Sequence, residues 1–258
     1  MSSPETQPSG PLSIGRLVEG SLGVIGRAWV TVFAVGFAFK ITGMLALHYG
    51  GLILTGGGVA ATVARYFLYF VPFTFGDAAI TCAAVAVLSG TGGGIPAALR
   101  TAVRIAAAAF VVDLVESAFD LTDTLLNLGP LPKTIPYWPF IMVVINNAWL
   151  AMVAPALAVA ADERGDGFSS LIRAWRLTGG HRLRLFAFLL LIAMVQLGFP
   201  MLLEIIAAVA RIPMPNWAFN LAVTPVEVFA SVSQAVIYWE LLRLREGVRG
   251  GDVEQIFG

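Results

Sequence analysis

The chain alternates between long apolar stretches and short polar connections rich in arginine and glycine. A helix needs roughly 20 mostly apolar residues to cross the hydrocarbon core of a bilayer. Six stretches meet that length and predict spans at 28–48, 66–88, 101–121, 138–160, 184–206 and 218–241. The fifth, LFAFLLLIAMVQLGFPMLLEII, is the most uniformly apolar. The third, TAVRIAAAAFVVDLVESAFDL, holds four ionisable residues and is the weakest span. Pro72, Pro155, Pro200 and Pro225 interrupt four spans and predict kinks. Between spans, GGLILTGGGVAA at 50–61 reads as a flexible or re-entrant outer loop, and NLGPLPKTIPYWP as a stiff turn.

Composition strengthens the membrane reading. Of the 258 residues 58% are hydrophobic and 12% charged, with a mean hydropathy of +0.83; soluble domains carry about 25% charged residues. Sixteen basic and sixteen acidic residues cancel, so no global field favours nucleic acid. Cys82 is the single cysteine and excludes an intrachain disulfide. With only two histidines, no metal site and no cofactor are expected. Residues 1–11 are polar, Pro/Ser-rich and without the basic region of a signal peptide, which predicts a disordered tail. The first apolar helix then serves as an uncleaved targeting element.

Charge placement sets the orientation. Twelve basic residues fall on one side of the six predicted spans, among them Arg16, Arg27, Arg100, Arg104, Arg173 and Arg184. The opposite side has four, Lys40, Arg65, Lys133 and Arg211. Basic flanks stay cytoplasmic, so both termini are predicted inside, in a bacterial inner membrane. Trp29, Tyr49, Tyr66, Tyr137, Trp138, Trp217, Tyr238 and Trp239 lie near span boundaries, as interfacial belts require.

An internal repeat emerges when GRLVEGSLGVIGRAWV from Gly15 is set against IRAWRLTGGHRLRLFA from Ile172. Arg16 falls on Arg173, Gly23 on Gly180 and Arg27 on Arg184, and the same interval separates Gly90 from Gly247. A third copy opens at GIPAALRTAVRI and closes at Gly165. Repeat units at 12–90, 91–165 and 166–247 then make up a membrane domain at 12–247, followed by a cytoplasmic tail at 248–258. Each unit is a cytoplasmic amphipathic helix followed by an out-and-back pair of spans. In SSLIRAWRLTGGHRLRLF, Phe168, Leu171, Ile172 and Trp175 form one apolar stripe, with Arg173 and Arg176 beside it. The Gly179–Gly180 pair breaks the helix before Arg182 and Arg184. The fold class expected is an all-α integral membrane protein of six transmembrane helices, arranged as three helix-hairpin repeats with cytoplasmic elbow helices. On those elbows Arg16, Arg27, Arg100, Arg104, Arg173, Arg176, Arg182 and Arg184 are candidate contacts to lipid headgroups.

LSIG at Leu12–Gly15, the RAWRLTGG segment after Ala154–Pro155 and the acidic turn Asp162–Glu163, and YWELLRLREG at Tyr238–Gly247 carry a resemblance. Together they look like the bacterial YciC-like six-helix membrane proteins, whose domain is also fused to some glycerophosphodiester phosphodiesterases. The closing segment departs from the expected pattern, because Leu242 displaces the arginine to Arg243. The resemblance implies an α-helical membrane protein and supplies no catalytic residues. The phosphodiesterase activity of the fused relatives belongs to a separate soluble barrel that this sequence does not resemble.

The remaining chemistry lies inside the spans. Lys40, Asp77, Asp113, Asn146 with Asn147, Gln196 and Glu227 fall near mid-bilayer in spans one to six, and Glu116, Glu204 and Gln234 nearer the edges. A charged group at that depth costs at least ~2.5–3.5 kcal/mol, so it should face the bundle interior and find partners. Lys40 is expected to pair with Asp77 or Asp113, leaving the other acids to hydrogen bonds. No Ser–His or Cys–His constellation is evident, and the glycines at 50–61 lack phosphate-loop spacing. The expected function is a non-catalytic inner-membrane scaffold or envelope-associated accessory protein that engages anionic phospholipids and a membrane-protein partner. The alternatives are a small proton- or cation-linked transporter using the intramembrane carboxylates, and a lipid-processing membrane enzyme.

Overall fold

The computed structural model describes residues 12–53, 59–92, 94–118, 138–212 and 215–246. The expected terminal tails, the closing Gly247 and all of the stiff turn except its last two residues lie outside them. Every regular element among the described residues is an α-helix. In chain order they are α1 (Ile14–Ile53), α2 (Val59–Leu88), α3 (Ile95–Arg104), α4 (Ala106–Glu116) and α5 (Trp138–Val153). There follow α6 (Ala156–Glu163), α7 (Gly167–Thr178), α8 (Arg182–Ala210) and α9 (Asn216–Glu246). Among the described residues five helical stretches are long and apolar enough to cross a membrane, and α3–α4 makes a sixth if it is one broken span.

Two sequence expectations need correction. The third span, 101–121, is not one helix, because the chain bends by 78° between α3 and α4. Ile105 sits at the bend with φ −97° and ψ 9°. The polar residues Arg100 and Arg104 stay on α3, and the apolar run starts at Ala106, so sequence chemistry changes where the axis does. The glycine-rich stretch at 50–61 is also shorter as a loop than expected. Helix α1 continues to Ile53 and α2 begins by Val59. Gly50 allows this continuation, since a Cβ there would collide with Leu68 of α2.

Helical geometry also breaks at two other places. Ala28 departs from helical geometry inside α1, with φ −114° and ψ 18°. Gly180, at φ +81°, separates α7 from α8. A positive φ costs glycine little because it has no Cβ. Of the four prolines only Pro155 coincides with a break, between α5 and α6; Pro72, Pro200 and Pro225 sit inside helices that continue through them.

The core gathers toward the ends where α1 begins and α2 and α9 finish. Leu17, Val24 and Val32 of α1 meet Ala78, Ala79 and Ala83 of α2, and Val232, Ile237 and Leu241 of α9, all buried. Helix α1 packs against both α2 and α9, and α8 against α5. Small residues let backbones approach where apolar surface gives no drive for helix association in lipid. A Cβ at Gly36 would come within 2.6 Å of Val228, and one at Gly76 within 2.9 Å of Phe39. Across the same faces Ser21 and Ser233 hydroxyls lie 3.0 Å apart.

The other half of the bundle is apolar and uncovered. Helix α8 buries Leu185, Phe188, Leu189 and Ile192, whereas Leu197, Met201, Ile205 and Val209 are exposed. Water would penalise so large a continuous apolar surface. A hydrocarbon solvent does not, and helices satisfy their backbone groups internally, as lipid demands. The fold is that of a multi-helix, membrane-embedded protein.

Candidate functional site: a polar cavity between the spans

A cavity of about 240 Å³ lies among α2, α4, α5, α8 and α9. Six of the seven intramembrane residues singled out from the sequence line it: Asp77, Asp113, Asn146, Asn147, Gln196 and Glu227. The seventh, Lys40, borders a small adjoining space of about 20 Å³ that Asp77 and Glu227 also touch. The helices bring these groups to one place because each span carries its polar residue on its inward face.

The partner of Lys40 is neither Asp77 nor Asp113. Its Nζ donates to Glu227 Oε1 at 2.5 Å and to the Tyr69 hydroxyl at 2.9 Å. The Tyr69 and Phe73 rings flank the ammonium, with centroids 5.6 and 5.9 Å away. Helix α1 lies against both α2, which carries Asp77, and α9, which carries Glu227, so adjacency sets aside only Asp113 of α4. Asp77 instead accepts the Ser231 hydroxyl at 2.6 Å. Asn147 is buried and donates to Val143 O of its own helix at 2.8 Å.

Three lining residues complete the chemistry. Glu116 and Gln234, read from the sequence as edge polarity, line the cavity, and Gln234 Nε2 approaches Glu116 Oε2 at 3.4 Å. Ser231 drew no notice in the sequence, since a serine in a helix usually bonds its own backbone; it does so here with Glu227 O at 3.1 Å while also serving Asp77. Among the described residues, four buried side-chain oxygens, Asp113 Oδ2, Glu116 Oε1, Asn146 Oδ1 and Gln234 Oε1, have no hydrogen-bond partner. Buried polar atoms in a folded protein are ordinarily satisfied. Four such oxygens, from α4, α5 and α9 around one cavity, are suited to a proton donor, water or a cation.

The arginines expected to contact lipid headgroups are placed as follows. Arg27, Arg100, Arg104, Arg176 and Arg184 are exposed. Three of the eight expected headgroup contacts also engage the protein itself. Arg173 Nε donates to Glu163 at 3.1 Å, and Arg16 lies 4.0 Å from Glu240. The Arg182 guanidinium stacks 4.0 Å from the Trp175 ring centroid and donates to Trp175 O. On α7 the protein-facing residues are Ser170, Ala174, Leu177 and Thr178, so Phe168, Ile172 and Trp175 are left exposed. Asp166 caps this helix, accepting from Ser169 N at 2.8 Å, which holds its carboxyl below the usual carboxylate range.

Fold and cavity together define a class: an all-helical protein with helices apolar enough to span a membrane and a buried, acid-lined cavity between them. Comparison with family models, curated proteins and solved structures finds no match. The functional argument therefore rests on the geometry.

Proposed function

We propose that the protein is a small transporter or channel-like protein that takes a proton or a small monovalent cation into this intramembrane cavity. The observation that carries the reading is that four oxygens without a hydrogen-bond partner among the described residues line one cavity of about 240 Å³ between spans. Ionisable groups inside membrane bundles commonly mark ion or proton paths. Lys40, held by Glu227 and Tyr69, acts as a resident counter-charge at the cavity's edge.

The architecture proposed around it is three hairpin units, each entered through a cytoplasmic elbow. The changes of axis at Ala28, Ile105 and Gly179–His181 support it, because each stands between an arginine-bearing amphipathic segment and an apolar run. The arginine asymmetry supports an inner-membrane setting with both termini in the cytoplasm. A scaffold reading draws on a separate observation, the exposed Phe168–Ile172–Trp175 stripe, which suits contact with lipid or a membrane partner. Both readings are non-catalytic, and the similarity to YciC-like proteins fits either.

The test is flux. Purified protein in liposomes enclosing a pH-sensitive dye is subjected to a potassium diffusion potential, with radiolabelled methylammonium uptake in parallel. Wild type is expected to pass one of the two well above protein-free vesicles. Asp113→Asn with Glu116→Gln is expected to lower that flux at least tenfold. No flux of either kind from correctly folded wild type would overturn the reading and leave the scaffold.

A further inference from the structure

A larger cleft than this cavity lies elsewhere, with a volume of about 870 Å³ between the end of α2, the α3–α4 bend and the turn from α6 into α7. That is the size of small-molecule sites, about 300–1,000 Å³. Its wall divides by origin. Polar residues come from helix ends and turns: Ser89 and Thr91 beyond α2, Arg104 closing α3, and Asp162, Arg164 and Asp166 around the α6–α7 turn. Apolar residues come from inside the helices that enter the membrane, Cys82 and Val85 of α2 and Ala107, Ala108 and Val111 of α4. Cys82 lies six residues in from the end of α2 and Val111 five from the start of α4, so the apolar floor reaches about 7–9 Å below the mouth at 1.5 Å per residue. A polar mouth over an apolar floor, at the level where spans end, matches an amphiphile standing in one leaflet.

The charges at the mouth specify the headgroup. Neither Arg104 nor Arg164 pairs with a carboxylate among the described residues, and both are exposed. Asp162 uses one oxygen to accept from the Tyr238 hydroxyl at 2.7 Å, and Asp166 uses one to cap Ser169 N. Each carboxylate retains its second oxygen. Two guanidinium groups and two carboxylates balance, so a simple anion would meet repulsion as well as attraction. A ligand with both a phosphate and an ammonium satisfies all four. Gly167 keeps the two walls together, since a Cβ there would come within 2.6 Å of Val111 on α4.

We infer that this cleft seats one zwitterionic aminophospholipid, its phosphodiester on Arg104 and Arg164 and its ammonium facing Asp162 and Asp166. The upper acyl chains lie along Val85, Ala108 and Val111. Phosphate alone could come from a free ion, but the apolar floor requires the lipid. This site is independent of the intramembrane cavity, and its failure leaves the transport reading standing.

The experiment is native mass spectrometry of the full chain in detergent, titrated separately with dioleoyl phosphatidylethanolamine, phosphatidylglycerol and phosphatidylcholine. Wild type is expected to retain one phosphatidylethanolamine with at least tenfold preference over the other two. Arg104→Gln with Arg164→Gln removes that retention, and Arg211→Gln with Arg243→Gln, outside the cleft, leaves it unchanged. Asp162→Asn with Asp166→Asn keeps the Tyr238 bond and the helix cap, because asparagine accepts in both places, and shifts preference to phosphatidylglycerol. That arm decides the matter if the double arginine variant fails to fold. Equal retention of the three lipids by wild type, unchanged retention in the folded Arg104/Arg164 variant, or displacement of the lipid by millimolar inorganic phosphate each overturns the inference.

Discussion

Lys40 and Glu227 meet at 2.5 Å across 187 positions of sequence, joining α1 to α9 inside the bundle. The lysine side chain is 5% exposed and the glutamate 26%, so the cation is the more dependent partner. Removing one member of a buried pair costs about 3–5 kcal/mol because the other charge is stranded; the partial exposure of Glu227 places this pair at the lower end. Glu227→Gln should therefore destabilise by ~3 kcal/mol, while Lys40→Met with Glu227→Leu costs less than the two single changes combined. A double-mutant cycle on unfolding in mixed micelles measures the coupling, expected to exceed ~1 kcal/mol. Strict additivity would show that the contact carries no energy.

Gly36 is a second point of dependence between the same helices. Its missing side chain lets Val228 close to within 2.6 Å of the Cβ position, tighter than real contacts allow. Gly36→Ala should destabilise by about 1–3 kcal/mol through overpacking. Trimming the neighbour with Val228→Ala should recover much of that loss, a pattern that a general helix-propensity effect cannot produce, since alanine is the better helix former. The measurement is the unfolding midpoint of the three variants.

Much of this arrangement was legible beforehand. Hydropathy located the spans, and polar residues at matching depths identified seven groups of which six line the cavity and the seventh, Lys40, adjoins it, because a charge in lipid must face inward. The partner of Lys40 was not legible. Asp77, Asp113 and Glu227 lie at similar depths, and α1 packs against both α2, with Asp77, and α9, with Glu227, so only the side-chain contacts select between those two. Ser231 escaped notice for a different reason, since local backbone bonding hides any long-range role for a helical serine. The bend at Ile105 was written into the switch from Arg100 and Arg104 to an alanine run, yet a sliding count of apolar residues averages across it.

His181 offers a pH test outside the spans. Desolvation chiefly, then the nearby Arg245 and Arg184 guanidinium groups, hold its pKa below the ordinary value of 6.5. The folded chain therefore takes up this proton later than the unfolded chain does. As pH falls below 6.5 the unfolded state gains protons first and stability drops, until the folded pKa is passed and the loss levels off. His181→Gln should flatten this part of the decline between pH 7.5 and 5.5. Solvent access makes the effect modest. A variant with the same decline as wild type would show that His181 does not contribute to it.

The proposed hairpin plan makes its strongest demand on the three changes of axis. Arg27 precedes the bend at Ala28, Arg104 precedes that at Ile105, and Arg184 follows Gly180. If each pair of spans goes out and returns, an even number of crossings separates these positions, and all three face the cytoplasm. Tyr49 and Trp217, both 61% exposed, then lie at the outer ends of α1 and α9. In a Cys82→Ala background, single cysteines at 27, 104 and 184 should react with a membrane-impermeant maleimide only after cells are permeabilised. Cysteines at 49 and 217 should react in intact cells. The decisive comparison is 104 against 184, because only the pair formed by α4 and α5–α6 intervenes. If α4 fails to cross, those two positions fall on opposite faces, and the third hairpin inverts relative to the first. Labelling of 184 but not 104 in intact cells would thus dismantle the three-unit plan, while the cavity contacts would remain as described.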